Sequence, residues 1–138
     1  KFEFNTYNGK KIPYKNNYFD RIIISHVLEH IPDPELFLKE MMKKLKRGGI
    51  LSISLPNDPG FLWRLGRFFI KLFKVKKKLN ITALEYDYMI ACEHINSIFN
   101  LISIIKYNYR HNIISEKYLP FKINIIDLNL FYNITLKK

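Results

Sequence analysis

The stretch that decides the fold is Phe19–Gly60, FDRIIISHVLEHIPDPELFLKEMMKKLKRGGILSISLPNDPG. Phe19–Ser25 is a short apolar run of the kind a fully buried parallel strand needs. Pro32 and Pro34 interrupt the chain and open a helix, with Asp33 placed to cap it. Within 34–46, Leu36, Phe37, Met41 and Leu45 recur at helical spacing and leave Lys and Glu outside. Gly48 and Gly49 stand where that helix must end, since a left-handed residue is needed there. Ile50–Leu55 is the next strand, and 56–60 is a loop. The spacing predicts one right-handed strand–helix–strand crossover.

Outward from this unit, Lys1–Tyr7 alternates apolar and polar residues, the period of a strand, and Asn8-Gly9 is a turn signal. On the other side lies FLWRLGRFFIKLFKVKKK, Phe61–Lys78, with Leu62, Leu65, Phe69, Leu72 and Phe73 on one helical face. Arg64, Arg67, Lys71, Lys74 and the Lys76–Lys78 run supply its cations, and no acid occurs between Phe61 and Leu84. Gly66 lowers helix propensity and makes a bend plausible there. A basic amphipathic helix of this kind reads either as a membrane-surface element or as a lid packing its apolar face on the fold. Its aromatics alternate with Leu and Ile as a core face would, so no nucleic-acid partner is expected. Thr82–Glu85 is a capping box. A helix follows from about Ser97 to Tyr107, a strand from His111 to Leu119, and a last strand from Asn129 to Leu136.

Composition bounds the rest. The chain has 138 residues, 48% of them hydrophobic and 15% aromatic, which suits a globular domain rather than a disordered chain. The net charge is +11, and lysine supplies 18 of the 23 basic residues. That bias, with abundant Ile and Asn, is also what an AT-rich coding sequence imposes. The single cysteine, Cys92, excludes an internal disulfide framework and reads as a small core residue. No uncharged apolar run is long enough to cross a bilayer, so a cytoplasmic location is expected, with peripheral contact at the inner membrane face through Phe61–Lys78 as an addition.

FD before an apolar run, HVLEH, a Pro/Asp loop, a helix, LKRGG, a strand and LPN form an ordered set. It resembles the second half of a class I S-adenosylmethionine-dependent methyltransferase, of the small-molecule type 11 group. The resemblance implies an α/β fold: a partial doubly wound Rossmann-like sheet, mostly parallel, with an antiparallel last strand. A helical insertion, about 61–92, follows the fifth family strand within a single domain. It further implies a family strand order of 3-2-1-4-5-7-6, with ligand sites outside the carboxyl ends of the strands. None of the five glycines forms a G-x-G-x-x-G loop, and the chain opens at Lys1, which together suggest a fragment. The bare strand edges that would follow predict self-association or pairing with a missing N-terminal half.

The same resemblance implies S-adenosyl-L-methionine as cofactor, contacted by Ser25, His26 and Val27, with Asn8 where the family often has the acid that holds the adenine. His26 and His94 are the candidate catalytic residues, imidazole being suited to proton removal near neutral pH. Asn57, Asp58, His94 and Asn96 are expected near the acceptor pocket. Asn57, Asn96 and Trp63 are the candidate substrate-binding residues. No metal is expected. The alternative is a ligand set of His26, Glu29, His30 and His94, because H-x-x-E-H with a later His is similar to the E-x-x-E-H of metal-binding methyltransferases. His26 in place of the first Glu weakens the case for magnesium. The implied activity is methyl transfer to a small-molecule or lipid- or glycan-linked acceptor, favouring oxygen. The competing reading is a non-catalytic module that pairs with another chain or docks on a membrane.

Overall fold

A computed structural model describes residues 12–73 and 81–138. The expected first strand, the Asn8-Gly9 turn and Lys74–Lys78 lie outside the described residues. The elements in order are β1 (Phe19–Ser25), α1 (Pro34–Lys44), β2 (Leu45–Pro56), α2 (Phe61–Ile70), α3 (Ala83–Glu93), α4 (Ile98–Tyr109), β3 (Ile113–Leu119) and β4 (Phe131–Lys137). They form one four-stranded sheet, in the order β1-β2-β4-β3. β1 and β2 run parallel, with Ile22 opposite Leu51 and Ile24 opposite Ile53. β4 is antiparallel to both its neighbours, with Ile134 opposite Ile53 and Tyr132 opposite Leu55. Three strands therefore share a direction and the last one opposes them. α2 and α3 occupy the chain between β2 and α4, where the helical insertion is expected.

The helix between the parallel strands starts as its sequence dictates. Asp33 Oδ1 accepts the Leu36 N–H at 2.9 Å, and Pro34 takes the first helical position, which has no donor to lose. Its buried stripe is corrected, however. Pro34, Leu38, Met41 and the following Leu45 face the sheet, while Leu36 is 62% exposed. The proline start sets the phase, and i, i+4, i+7 from Pro34 selects Leu38 rather than Leu36. Lys44 is buried too, held by Glu40 at 3.1 Å and by Asn16 Oδ1 at 3.1 Å.

The double glycine does not cap this helix. The helix ends at Lys44, and Leu45 already pairs with Phe19. The next pair is Arg21 with Ile50, so residues 46–49 bulge out of the ladder. Gly48 supplies the positive φ of 77° this needs. A Cβ on Gly49 would lie 2.9 Å from the Lys46 carbonyl oxygen and 3.1 Å from that of Asp20.

The core sits on one side of the sheet. Leu51, Ile53 and Leu55 of β2, Tyr132, Ile134 and Leu136 of β4, and Ile98, Leu101 and Ile105 of α4 are fully buried with Leu38 and Leu28. At about 25 cal/mol per Å2 of apolar area, side chains of this size contribute roughly 1.5–3 kcal/mol each when buried. The other side carries Ile23, Ser52, Ser54, Asn133 and Thr135 around an open hollow. Ile23 is 69% exposed, so β1 is covered on one side rather than both. Later elements follow the sequence closely. Thr82 and Glu85 make a complete capping box, and Ser97 caps α4. A short turn at Arg110–Asn112 delays β3 to Ile113. Residues 83–112 are apolar enough and long enough to cross a bilayer, but α3 and α4 are separate helices divided at His94–Ser97, and α4 packs in the core. Cys92 is exposed, not buried, because no residue of α3 is buried.

Candidate active site

The carboxyl ends of β1 and β2 lie side by side, with Ser25 opposite Ser54 and the His26 N–H donating to the Ser54 carbonyl at 3.0 Å. Each tip feeds a loop. α2 and α3 close over these loops and leave a cavity of about 400 Å3. Leu62, Trp63 and Ile70 of α2, Tyr86 and Ile90 of α3, and Phe131 of β4 give it an apolar wall. His26, Glu29, His30, Arg67 and His94 supply the polar groups. A mostly apolar concavity with a few convergent polar groups is the usual form of a small-molecule site.

The aromatic wall is held rigidly. Trp63 Nε1–H donates to the Leu130 carbonyl at 2.7 Å, its ring meets Phe131 edge-on at 6.3 Å, and the Arg67 guanidinium lies over it at 5.9 Å. The His26 ring rests against the other side of the wall, 5.3 Å from Phe131. His26 adopts φ 53°, a left-handed conformation uncommon for a residue with a side chain. Ser25 is exposed beside it, while Val27 is half-buried and packs on the core.

The polar groups form a chain along one wall. Asp58, at the tip of β2, is only 6% exposed. Its Oδ2 accepts from His94 Nδ1–H at 2.6 Å and from the Arg67 guanidinium. The His94 and His30 rings meet edge-on at 5.0 Å. His30 Nδ1–H donates to the Glu93 carbonyl at 2.6 Å, and its Nε2 stands 3.8 Å from Glu29 Oε1. Glu29 is 2% exposed, and its Oε2 has no hydrogen-bond partner among the described residues. A histidine whose Nδ1–H is held by a buried carboxylate keeps Nε2 as its basic nitrogen.

Several candidates are placed differently from the sequence expectation. Asn57 is fully buried and spends its amide on the Ile126 and Asn129 carbonyls, at 3.1 and 3.2 Å. Asn96 donates to the Leu28 and Ile31 carbonyls at 3.1 and 2.6 Å. Both clamp the loops that carry the site and neither lines the cavity, since an amide fits orphan carbonyls as readily as it fits a ligand. Among the described residues no three metal-ligating side chains converge, so His26, Glu29, His30 and His94 are not assembled as a ligand set. The Nδ1 atoms of His30 and His94 are already committed to protein oxygens. Asn8 lies outside the described residues. Leu62 and Leu65 part company: the first faces the cavity and the second faces outward. Arg67, Tyr86, Ile90 and Phe131 carried no motif. Asp58 stands where the sequence places it, just past a strand's carboxyl end and beside the site.

A family model for a methyltransferase domain matches residues 1–53. The demethylmenaquinone methyltransferase of Listeria welshimeri is 32% identical over 98 residues, covering 59% of this chain and 41% of that protein. The 2-methyl-6-phytyl-1,4-hydroquinone methyltransferase 1 of rice, Oryza sativa subsp. japonica, is 32% identical over 71 residues, covering 51% of this chain and 21% of that one. The chain thus spans about two-fifths of the Listeria relative it matches. Among solved structures, a S-adenosylmethionine-dependent methyltransferase of Thermotoga maritima shares the fold, with a TM-score of 0.54 and 17% identity over 94% of this chain and 61% of that one. Residues 1–53 thus match the methyltransferase-domain family, and the chain shares the fold of a solved S-adenosylmethionine-dependent methyltransferase.

Proposed function

We propose that the protein moves a methyl group from S-adenosylmethionine onto an oxygen of a small apolar acceptor, free or lipid-linked, that carries a ring hydroxyl. The observation that carries this reading is His94, which lines an apolar cavity at the tips of two parallel strands and is held by the buried Asp58. The names of the Listeria and rice relatives, both quinone or hydroquinone methyltransferases, support the acceptor class.

The residues present fit this chain's side of a donor site. Ser25 and His26 stand exposed at the carboxyl end of β1, and the unpartnered Glu29 Oε2 is a buried carboxylate oxygen next to them, suited to a cationic or hydrogen-bond-donating ligand. Bound S-adenosylmethionine supplies the electrophilic methyl group. Ser25, His26 and Val27 hold its place at the strand tip. Trp63, Ile70, Tyr86 and Phe131 clamp the acceptor's apolar body and fix the line of approach, which is where most of the rate advantage of such a displacement arises. His94 Nε2 takes the hydroxyl proton, and Asp58 holds the ring in the tautomer that can do so. Arg67 lines the same wall and shares the Asp58 carboxylate with His94.

Calorimetry with S-adenosylhomocysteine and turnover of an isoprenoid-substituted hydroquinone, with the product read by NMR, test this. Saturable binding and a methoxy product are expected where the glycine-rich half of the fold is supplied, and weak or no binding from these 138 residues alone. A C-methyl product would overturn the oxygen assignment alone. Neither binding nor product would overturn the reading.

A further inference from the structure

Glu29 follows the left-handed His26 by three residues and lines the cavity with it. The residue is 2% exposed, yet its carboxylate makes no hydrogen bond to any described residue. Oε2 has no partner, and Oε1 meets the His30 ring at 3.8 Å, beyond hydrogen-bond range. The His30 Nδ1–H is already spent on the Glu93 carbonyl. Asp58, on the same wall, leaves Oδ1 without a partner but engages Oδ2 with both His94 and Arg67. Glu29 has neither oxygen engaged. A buried carboxylate in this state is costly, and folding alone gives no reason to keep it. A cavity built to hydrogen-bond a polar ligand leaves such a group open until the ligand arrives.

We propose that Glu29 determines acceptor specificity: its Oε1 accepts a hydrogen bond from a second hydroxyl on the ring whose first hydroxyl reaches His94. The proposal rests on the acceptor reading given above and narrows it to a dihydroxy ring. Glu29 shares its cavity with Trp63, Tyr86 and Phe131, whereas Ser25 and Val27, which hold the donor's place, do not line it. Oε1 is turned toward His30, and the His30 ring in turn lies 5.0 Å from that of His94. One imidazole thus links the carboxylate to the base, and a ring with hydroxyls at separated positions can reach both. No three metal-ligating side chains converge among the described residues, so Glu29 is not assembled into a cation site. The matched hydroxyl gives the carboxylate its missing hydrogen bond. A ring without it leaves the charge buried and bare, a stronger filter than apolar contact provides.

The cavity is lined by this chain's own residues, so the test is acceptor binding to the full chain without donor. Prenylhydroquinone, kept reduced with ascorbate, is compared with its monomethyl ether. Binding is read from the emission of Trp63, the chain's single tryptophan, which lines the cavity. Wild type should bind the dihydroxy ring at least about tenfold more tightly than the ether. Glu29→Met keeps the length of the side chain and removes the carboxylate, so it should bind both probes alike, at the ether's affinity. Because it also removes a buried charge without partners, its urea midpoint should hold or rise. A fallen midpoint would make Glu29 a structural residue and overturn the proposal. Equal binding of the two probes by wild type, or a preference that survives Glu29→Met, would also overturn it while leaving methyl transfer to a monohydroxy ring standing. Binding of neither probe would overturn it together with the acceptor class on which it rests.

Discussion

Asp58→Asn isolates what the buried carboxylate contributes. The substitution keeps the shape of a side chain that is 6% exposed and removes its charge. In the native site Oδ2 serves both His94 Nδ1–H and Arg67. An amide offers one oxygen, and if it turns its NH2 to His94 the imidazole must carry its proton on Nε2, where it can no longer take one from the acceptor. A hydrogen bond to a charged group is worth about 1.5–3 kcal/mol. If all of it is expressed in the transition state, kcat falls roughly 12- to 160-fold, at 1.36 kcal/mol per decade. KM should move little, because the acceptor's apolar contacts lie on Trp63, Tyr86 and Phe131. Arg67→Met is the control: it removes a charge from the same oxygen but leaves the His94 tautomer intact, so it should cost stability more than turnover. The assay is steady-state methyl transfer followed by mass spectrometry of the product, beside urea unfolding of each variant. Asp58→Asn with kcat within about twofold of wild type and a native unfolding curve would refute the role given to Asp58.

Trp63→Ala should raise KM by about tenfold with a smaller change in kcat, because it removes a wall contact made equally in ground and transition states; acceptor titrations check it. Asn129→Ala leaves the Phe121 N–H and the Ile123 and Ile125 carbonyls without the buried amide that now joins them. A loss of about 1–3 kcal/mol in urea unfolding is expected. Burial by itself would raise the Glu116 carboxyl, but hydrogen bonds from Lys106 and Tyr132 and the Lys106 charge outweigh it and hold it below its ordinary value. Its folded state is thus favoured above the unfolded carboxylate's range, and that stability is lost as pH falls through the folded value. Glu116→Gln should flatten the acid side of a stability-versus-pH curve measured by urea midpoints.

The crossover was legible because it is local. Pro34, Asp33 and the run Phe19–Ser25 carry their instructions within a few residues, and the strand tips then locate the site. The phase of α1 was not, since Leu36 and Leu38 are equally apolar and only the proline start separates them. The double glycine misled for a related reason: a left-handed residue serves a helix end and a bulge alike, and Gly48 shows only that φ is positive. One missed signal was present. LSISL, Leu51–Leu55, alternates strictly, the mark of a strand covered on one side, and the same alternation recurs in Tyr132–Leu136. The amides of Asn57 and Asn96 could not be assigned, because the carbonyls they bind lie at least 65 residues away in the chain. Arg67, Tyr86 and Phe131 meet only through tertiary packing, and no spacing announces that.

The two sides of the sheet differ in chemistry as well as in cover. Ser52, Ser54, Ser115, Asn133 and Thr135 make the open side a lattice of hydroxyls and an amide, with the Lys117 ammonium among them and Ile23 breaking it. Anything settling there, be it another stretch of polypeptide or solvent, is greeted by donors and acceptors in fixed rows. Fit on that side is therefore graded by how well those rows are matched, directly or through bridging water, and not by how much oily area is hidden. Attachment of this sort tolerates wetting and can be undone, whereas the Leu51–Tyr132 side is committed for as long as the chain stays folded.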